Sequence, residues 1–411
     1  MTVHATATTA TPPPPTLPAP ATLVTLHQIE GELNAALLER EEAIRAALVA
    51  LVSRSHLVLL GPPGTAKSQL VTAVAERFCD PAGAGLSYFV YLLTRFTTPE
   101  ELYGPVSVHG LKNDTYARIT AGKLPEAQLV FLDEVFKSSS AVLNSLLTLL
   151  NERVFDNGTA RQPAPLISLF GASNEMPQGD DLEALWDRFL LRLEVGYLSQ
   201  GGFDRLLAGA TAALAARTQA APTLLPQAEL AALQDQAAAL PIPADIAGAL
   251  GGLRRDLERQ KGIVASDRRW MQSLRALQAH ALLEGRAAVE EDDLAILAHV
   301  LWSQPEQRAE IARLTSRLAN PTNAKASELK DKATAVWDEA RGKLAQHADE
   351  ESAGVRAQIA LEALSKVKRI GGDLDRLATQ ARAQGRDTAR VAQALAAVER
   401  IKVEVLESSE F

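Results

Sequence analysis

With 411 residues and a formal net charge of −8, the chain is long enough for roughly two or three domains with their own cores. The acidic balance argues against a general nucleic-acid or membrane-surface binder, although local basic patches survive such averages. A single cysteine, Cys79, excludes an intramolecular disulfide framework, and seven histidines without paired Cys or His spacing leave no structural zinc site. No apolar run is long enough to span a bilayer, so no transmembrane segment and a cytoplasmic location are expected.

Residues 1–22 are rich in Thr, Pro and Ala, with Pro12 to Pro15 consecutive, and predict a disordered or polyproline II tail. The tail has neither the basic start nor the apolar stretch of a signal peptide. An Ala/Leu/Glu-rich helix is expected from about Leu23 to Leu51. Leu57 to Leu60 then reads as a strand buried on both faces, emptying into the loop Gly61-Pro62-Pro63-Gly64-Thr65-Ala66-Lys67-Ser68. An amphipathic helix opens at Ser68 and Gln69, with Leu70, Val71, Val74 and Phe78 on one side. Loop N–H groups and the helix N-terminus suit the phosphates of ATP, Lys67 reaches the β- and γ-phosphates, and Ser68 offers a hydroxyl to Mg²⁺. Alanine at 66, where the common pattern has a second glycine, predicts a negative φ there.

Four more apolar runs follow: Tyr88 to Leu93, Leu129 to Leu132, Leu166 to Ala172 and Leu190 to Val195. With helices between most of them, they predict a five-stranded parallel sheet of three-layer α/β type, ligands binding at the strands' carboxyl ends. The run ending at Leu132 presents two carboxylates at once: Asp133 would share the Mg²⁺ shell with Ser68, and Glu134 would polarise the attacking water as general base. Ser173 and Asn174 end another buried run, where the Asn174 amide can bond the attacking water or the γ-phosphate. Arg188 lies just before the last strand.

Two segments interrupt the core, around 104–122 and 155–165. Val106 to Val108 with Tyr116 to Ile119 could form a hairpin, and Asp156-Asn157-Gly158 favours a tight turn. From 206 to 305 the strand signal gives way to helices, one capped by Ser266 so that Arg268 and Arg269 fall on its first turn. First-turn arginines oppose the helix dipole, which suggests a phosphate partner. Residues 306–411 read as an antiparallel helical bundle or arm, broken at Pro321 and at Gly371-Gly372, with Val391, Leu395, Val398 and Val405 on one stripe.

These motifs together resemble the MoxR family of AAA+ ATPases, and within it the RavA subgroup (regulatory ATPase variant A). The likeness runs from about Leu23 to Pro305 and includes Leu93-Thr-Arg-Phe96, Thr98-Pro-Glu-Glu101, Tyr103-Gly-Pro105, Leu124-Pro-Glu126, Asn151-Glu-Arg153, Asp187-Arg-Phe189 and Ser266-Asp-Arg-Arg269. It implies an AAA+ core at 23–205, a lid at 206–305 and a helical arm beyond. It further implies a homo-hexamer with ATP between subunits, Gly61 to Ser68 as Walker A, Asp133 and Glu134 as Walker B, Asn174 as sensor 1 and Arg268 as sensor 2, with Arg269 as its alternate. Arg188 would be the arginine finger, with Arg192 a lesser candidate. The expected activity is chaperone-like remodelling of a protein partner carrying a von Willebrand factor A domain. Alternatives are a nucleic-acid-stimulated motor, disfavoured by the acidic balance, and a metal-insertion or enzyme-reactivation ATPase. One departure stands out: RavA proteins carry a small β-rich insert in the arm, and no strand-rich segment follows residue 306.

Overall fold

The computed structural model describes residues 20–79, 85–215, 221–319, 321–346, 353–383 and 388–407, so the expected tail lies outside the described residues up to position 19. The chain forms two compact units, Met1–Pro305 and Glu306–Phe411.

In the first unit the single helix expected over Leu23 to Leu51 is two, α1 (Pro20–Ala36) and α2 (Glu41–Val52). The break is made by Glu39, left-handed at φ 57°, and by Arg40, which turns inward. Breaking there frees α2 to bury Ala43, Ile44 and the whole stretch from Ala46 to Val52. Beyond it come β1 (Leu57–Leu60), α3 (Lys67–Ala75), β2 (Tyr88–Leu92), α4 (Pro99–Tyr103), α5 (Val108–Lys112), β3 (Leu129–Asp133) and α6 (Ser140–Glu152). The core continues through β4 (Val154–Asn157), β5 (Ala160–Pro163), β6 (Ser168–Ser173), α7 (Asp180–Trp186) and β7 (Leu191–Glu194).

Five strands form one sheet in the order β2-β3-β6-β1-β7, every neighbouring pair parallel. The continuous apolar runs explain the centre: β1 and β6 are buried along their full length, as sheet strands covered on both faces must be. All carboxyl ends therefore share one edge, where the β1, β3 and β6 loops converge. The lid helices are α8 (Gln200–Ala215), α9 (Gln227–Ala239), α10 (Ala244–Lys261) and α11 (Asp267–Leu283). Among the described residues no helix is long and apolar enough to cross a membrane.

The second unit is helical throughout its described residues: α12 (Arg308–Ala319), α13 (Pro321–Gln346), α14 (Ala353–Ala383) and α15 (Ala389–Glu407). Trp337, Val367, Leu374, Val391, Val398 and Val405 form its core. Pro321 starts a helix, as the proline ring allows at a first position. The expected break at Gly371-Gly372 does not occur, and α14 runs through both residues. Gly371 instead admits α15: a methyl there would stand 3.3 Å from Lys402 Nζ and 3.8 Å from Val398 Cγ1.

Candidate nucleotide-binding site

The loop leaving β1 is pinned from both sides. Gly61 N–H donates to Ser173 O of β6 at 3.0 Å, and a Cβ at Gly61 would lie 2.0 Å from Val195 O beyond β7. Ala66 does not take the negative φ expected for a side-chain-bearing residue: it sits left-handed at φ 64°, ψ 23°. That step turns the chain so that successive N–H groups converge at the start of α3, and the methyl group tolerates it at a cost of roughly 1–2 kcal/mol. The first turn of α3 carries no carboxylate, so its positive dipole end is open to an anion. Lys67 Nζ donates to Gly61 O at 2.7 Å and Pro62 O at 2.9 Å, folding back over the loop. Burial lowers its pKa, and the charges of Asp133 and Glu134 oppose that shift.

Asp133 ends β3 facing α3, and Ser68 Oγ donates to its Oδ2 at 3.5 Å. A hydroxyl and a carboxylate so close are hard oxygen donors suited to Mg²⁺, which keeps several waters and needs few protein ligands. The other Asp133 oxygen accepts the Glu134 N–H at 3.0 Å. Glu134 is itself left-handed, at φ 54°, ψ 44°, a strained backbone at the point where the chain leaves β3. Asn174 follows Ser173, the register partner of Leu60, and so stands exposed beside the start of the phosphate loop. Ser173 Oγ fixes that corner, donating to Glu175 O at 2.8 Å and accepting its N–H at 3.2 Å.

The arginines occupy the opposite edge. Arg188 precedes β7, and Arg268 donates to Asn151 Oδ1 at the end of α6. This edge is set by Arg153, which donates to Leu166 and Ile167 carbonyls before β6 and to Arg54 O before β1. Four-residue β1 separates it from the phosphate loop by roughly 13 Å of strand. Asp187 holds the α11 start against the core through Arg269, at 2.6 Å, while its other oxygen lies 3.8 Å from Arg188. Arg188 Nε is buried without a partner. Burial lowers the Arg188 pKa and the nearby Arg268 charge lowers it further, while Asp187 opposes the shift.

Arg192, the lesser finger candidate, is excluded from that role. Its guanidinium is fully buried over the Trp186 ring at 4.1 Å and donates to the Phe189, Trp186 and Trp302 carbonyls. Arg269 is likewise committed, 3% exposed against Asp187 and Trp302 O. Sequence reading missed Arg40, whose Nε donates to Thr65 O at 3.2 Å and Nη2 to Gly196 O at 2.8 Å, tying the phosphate loop to the β7 exit. Its only signal was one arginine within a charged run, Glu39-Arg40-Glu41-Glu42, inside an otherwise helical pattern.

The hairpin expected over Val106 to Ile119 is only partly formed. Ser107 N–H donates to Ala117 O and Ile119 N–H to Pro105 O, but Ser107 Oγ then caps the short helix α5, which takes Val108 out of the pairing. The Asp156-Asn157-Gly158 turn does join an antiparallel pair, β4 and β5. Asn157 also locks the two segments together, accepting Arg118 N–H at 2.6 Å and donating to Arg118 O at 3.2 Å.

A parallel sheet with the phosphate loop on its middle-right strand, a helical lid, and arginines on the far edge is the architecture of an AAA+ ATPase. Residues 24–235 match the MoxR domain of the MoxR-vWA-beta-propeller ternary systems, and residues 245–315 match the AAA lid domain. The chain belongs to the MoxR family of AAA+ ATPases. An uncharacterized protein of Methanocaldococcus jannaschii is 40% identical over 76% of this chain and 78% of its own length. The chaperone MoxR1 of Mycobacterium tuberculosis is 26% identical over 43% of this chain and 45% of its own. A solved structure from Cytophaga hutchinsonii shares the fold, with a TM-score of 0.57 at 17% identity, covering 73% of this chain and 96% of that one.

Proposed function

We propose that the protein hydrolyses ATP as a homo-hexameric ring, with each active site completed by its neighbour. The observation that carries this reading is the division of the site between two edges of one sheet. Lys67, Ser68, Asp133, Glu134 and Asn174 gather at the carboxyl edge, and Arg188 and Arg268 lie beyond the strand length on the other. An arginine pair so placed serves a phosphate bound by the next subunit. A head-to-tail interface that repeats in this way closes into a ring.

Within such a site the residues divide the work. Loop N–H groups and Lys67 hold the phosphates, and Ser68 and Asp133 would hold Mg²⁺, which supplies charge neutralisation on the transferring group. Glu134 accepts a proton from the attacking water, oriented by Asn174. Arg188 of the next subunit stabilises charge in the transition state, with Arg268 beside it as sensor 2.

Movement of the lid against the core then acts on a protein partner. The family description places MoxR domains in systems with a von Willebrand factor A protein and a β-propeller, and a relative is named a chaperone. We therefore assign this chain chaperone-like remodelling of a vWA-domain protein, in a RavA-like branch that does without the β-rich insert. The test is a Glu134→Gln variant. It should bind ATP, assemble and retain a vWA-domain protein on affinity capture while losing turnover. Turnover at the wild-type rate would overturn the Glu134 assignment, and capture free of vWA proteins would overturn the partner.

A further inference from the structure

Beside the Walker B turn, at the β2 side of the carboxyl edge, opens a cleft of about 400 Å³. Its lining is mixed: Phe136, Met176 and Leu182 contribute apolar surface, and Arg95 and Lys137 stand with a single carboxylate, Glu175. The lining thus carries two cations to one carboxylate in a chain of formal charge −8. Phe96, next to Arg95 in the sequence, is 91% exposed.

Lys137 belongs to two settings at once. It lines this cleft, and its Nζ lies 3.3 Å from Glu134 Oε2. That oxygen is buried and accepts no hydrogen bond. The general base assigned above is therefore held, on its left-handed turn, by a lysine that also faces the cleft.

We propose that the cleft docks an acidic, partly apolar segment of a protein partner, and that Lys137 couples its arrival to hydrolysis. The charge balance selects the occupant: a carboxylate can pair with Arg95 and Lys137 while an apolar neighbour covers Phe136, Met176 and Leu182. A carboxylate bound there competes with Glu134 for Lys137. Glu134 is then released toward the nucleotide, and turnover rises when a partner is engaged. The coupling half of this proposal rests on Glu134 being the general base of an ATPase; the docking half does not.

Two measurements separate the halves. Fluorescein-labelled oligoglutamate is titrated into the full-length protein at low salt and followed by anisotropy, with an oligo(Gly-Ser) peptide and a single-stranded DNA oligonucleotide as comparisons. Oligoglutamate should bind, and Arg95→Gln and Lys137→Met should each weaken it about fivefold, the effect of one part-exposed ion pair. Absent binding, binding unchanged by both variants, or equal binding of the DNA would overturn the docking site. In the second measurement oligoglutamate should raise wild-type ATP turnover. Lys137→Met should turn over faster than wild type without peptide and gain nothing from it, and Lys137→Arg should restore the response. A Lys137→Met protein with wild-type basal rate and wild-type stimulation would overturn the coupling. Wild-type protein with no turnover at all would instead defeat the ATPase reading, leaving the anisotropy result to decide the cleft. Should Lys137→Met fail to fold, Lys137→Gln, which also removes the charge, carries both measurements with the same expected outcomes.

Discussion

Placing Arg188 on the edge away from its own phosphate loop makes a quantitative prediction for mixed rings. An Arg188→Ala subunit keeps Lys67, Asp133 and Glu134, and so keeps a whole phosphate site, but no longer offers the Arg188 guanidinium to its neighbour. A Glu134→Gln subunit has a dead site and an intact arginine. The Arg188→Ala ring should fall by about 10³- to 10⁵-fold, roughly 4–7 kcal/mol of transition-state stabilisation, and the Glu134→Gln ring by about 10²- to 10⁴-fold. Roughly 13 Å of strand separates the arginine edge from the loop, so Arg188 cannot make up the loss within its own subunit. In an equimolar, randomly assembled mixture, a site works when an Arg188→Ala subunit meets a Glu134→Gln neighbour in the right order. Two one-half probabilities multiply to about a quarter of the wild-type rate, whatever the number of subunits in the head-to-tail ring. The assay is steady-state phosphate release after the two variants are mixed unfolded or dissociated and reassembled. A mixture no faster than its parents would refute action across the interface.

His56 should make stability depend on pH. Burial holds its pKa down, to about 3 from 6.5, and its ring is fixed neutral, accepting Leu169 N–H at Nδ1 and facing Leu150 O with Nε2. The unfolded chain takes up this proton below about 6.5 and the native state does not, so stability is present above that pH and falls toward pH 3. At about 1.4 kcal/mol per pH unit, the loss between pH 7 and pH 5 is about 2 kcal/mol. Urea unfolding of wild type and His56→Asn at both values should show the variant lacking that slope; equal slopes would contradict the assignment. Arg192→Met removes a charged donor from three carbonyls, of which Trp302 O keeps Arg269 and Trp186 O keeps the Phe189 N–H, and thermal or urea unfolding should report a loss of about 1–3 kcal/mol. Ala66→Gly relieves a left-handed alanine worth roughly 1–2 kcal/mol, offset by about 0.4–1 kcal/mol of unfolded-chain entropy. Unfolding should show a small net gain with ATP affinity kept; a destabilised variant would mean that the methyl group packs favourably.

The sequence by itself determined what short-range pattern can carry. Apolar runs at Leu57 to Leu60, Leu129 to Leu132 and Leu166 to Ala172 had to be buried strands, and the residues just beyond them, Lys67, Ser68, Asp133 and Asn174, had to meet at one edge because parallel strands share their carboxyl ends. Tertiary structure decided whatever depends on a neighbour far along the chain. Spacing could not tell Arg188 from Arg192, since both lie near one strand; alternation of the pleat and three carbonyls bury one, while Asp187, taken by Arg269, leaves the other beside Arg268. Composition marked Gly371-Gly372 as a break, but α15 packs against Gly371 and makes its small size an asset to the helix pair. Ala66 shows the same limit at a single residue. Local preference put its φ below zero, and a loop held between Ser173, Val195 and Arg40 imposed the opposite sign, because a few fixed contacts outweigh a local cost of roughly 1–2 kcal/mol.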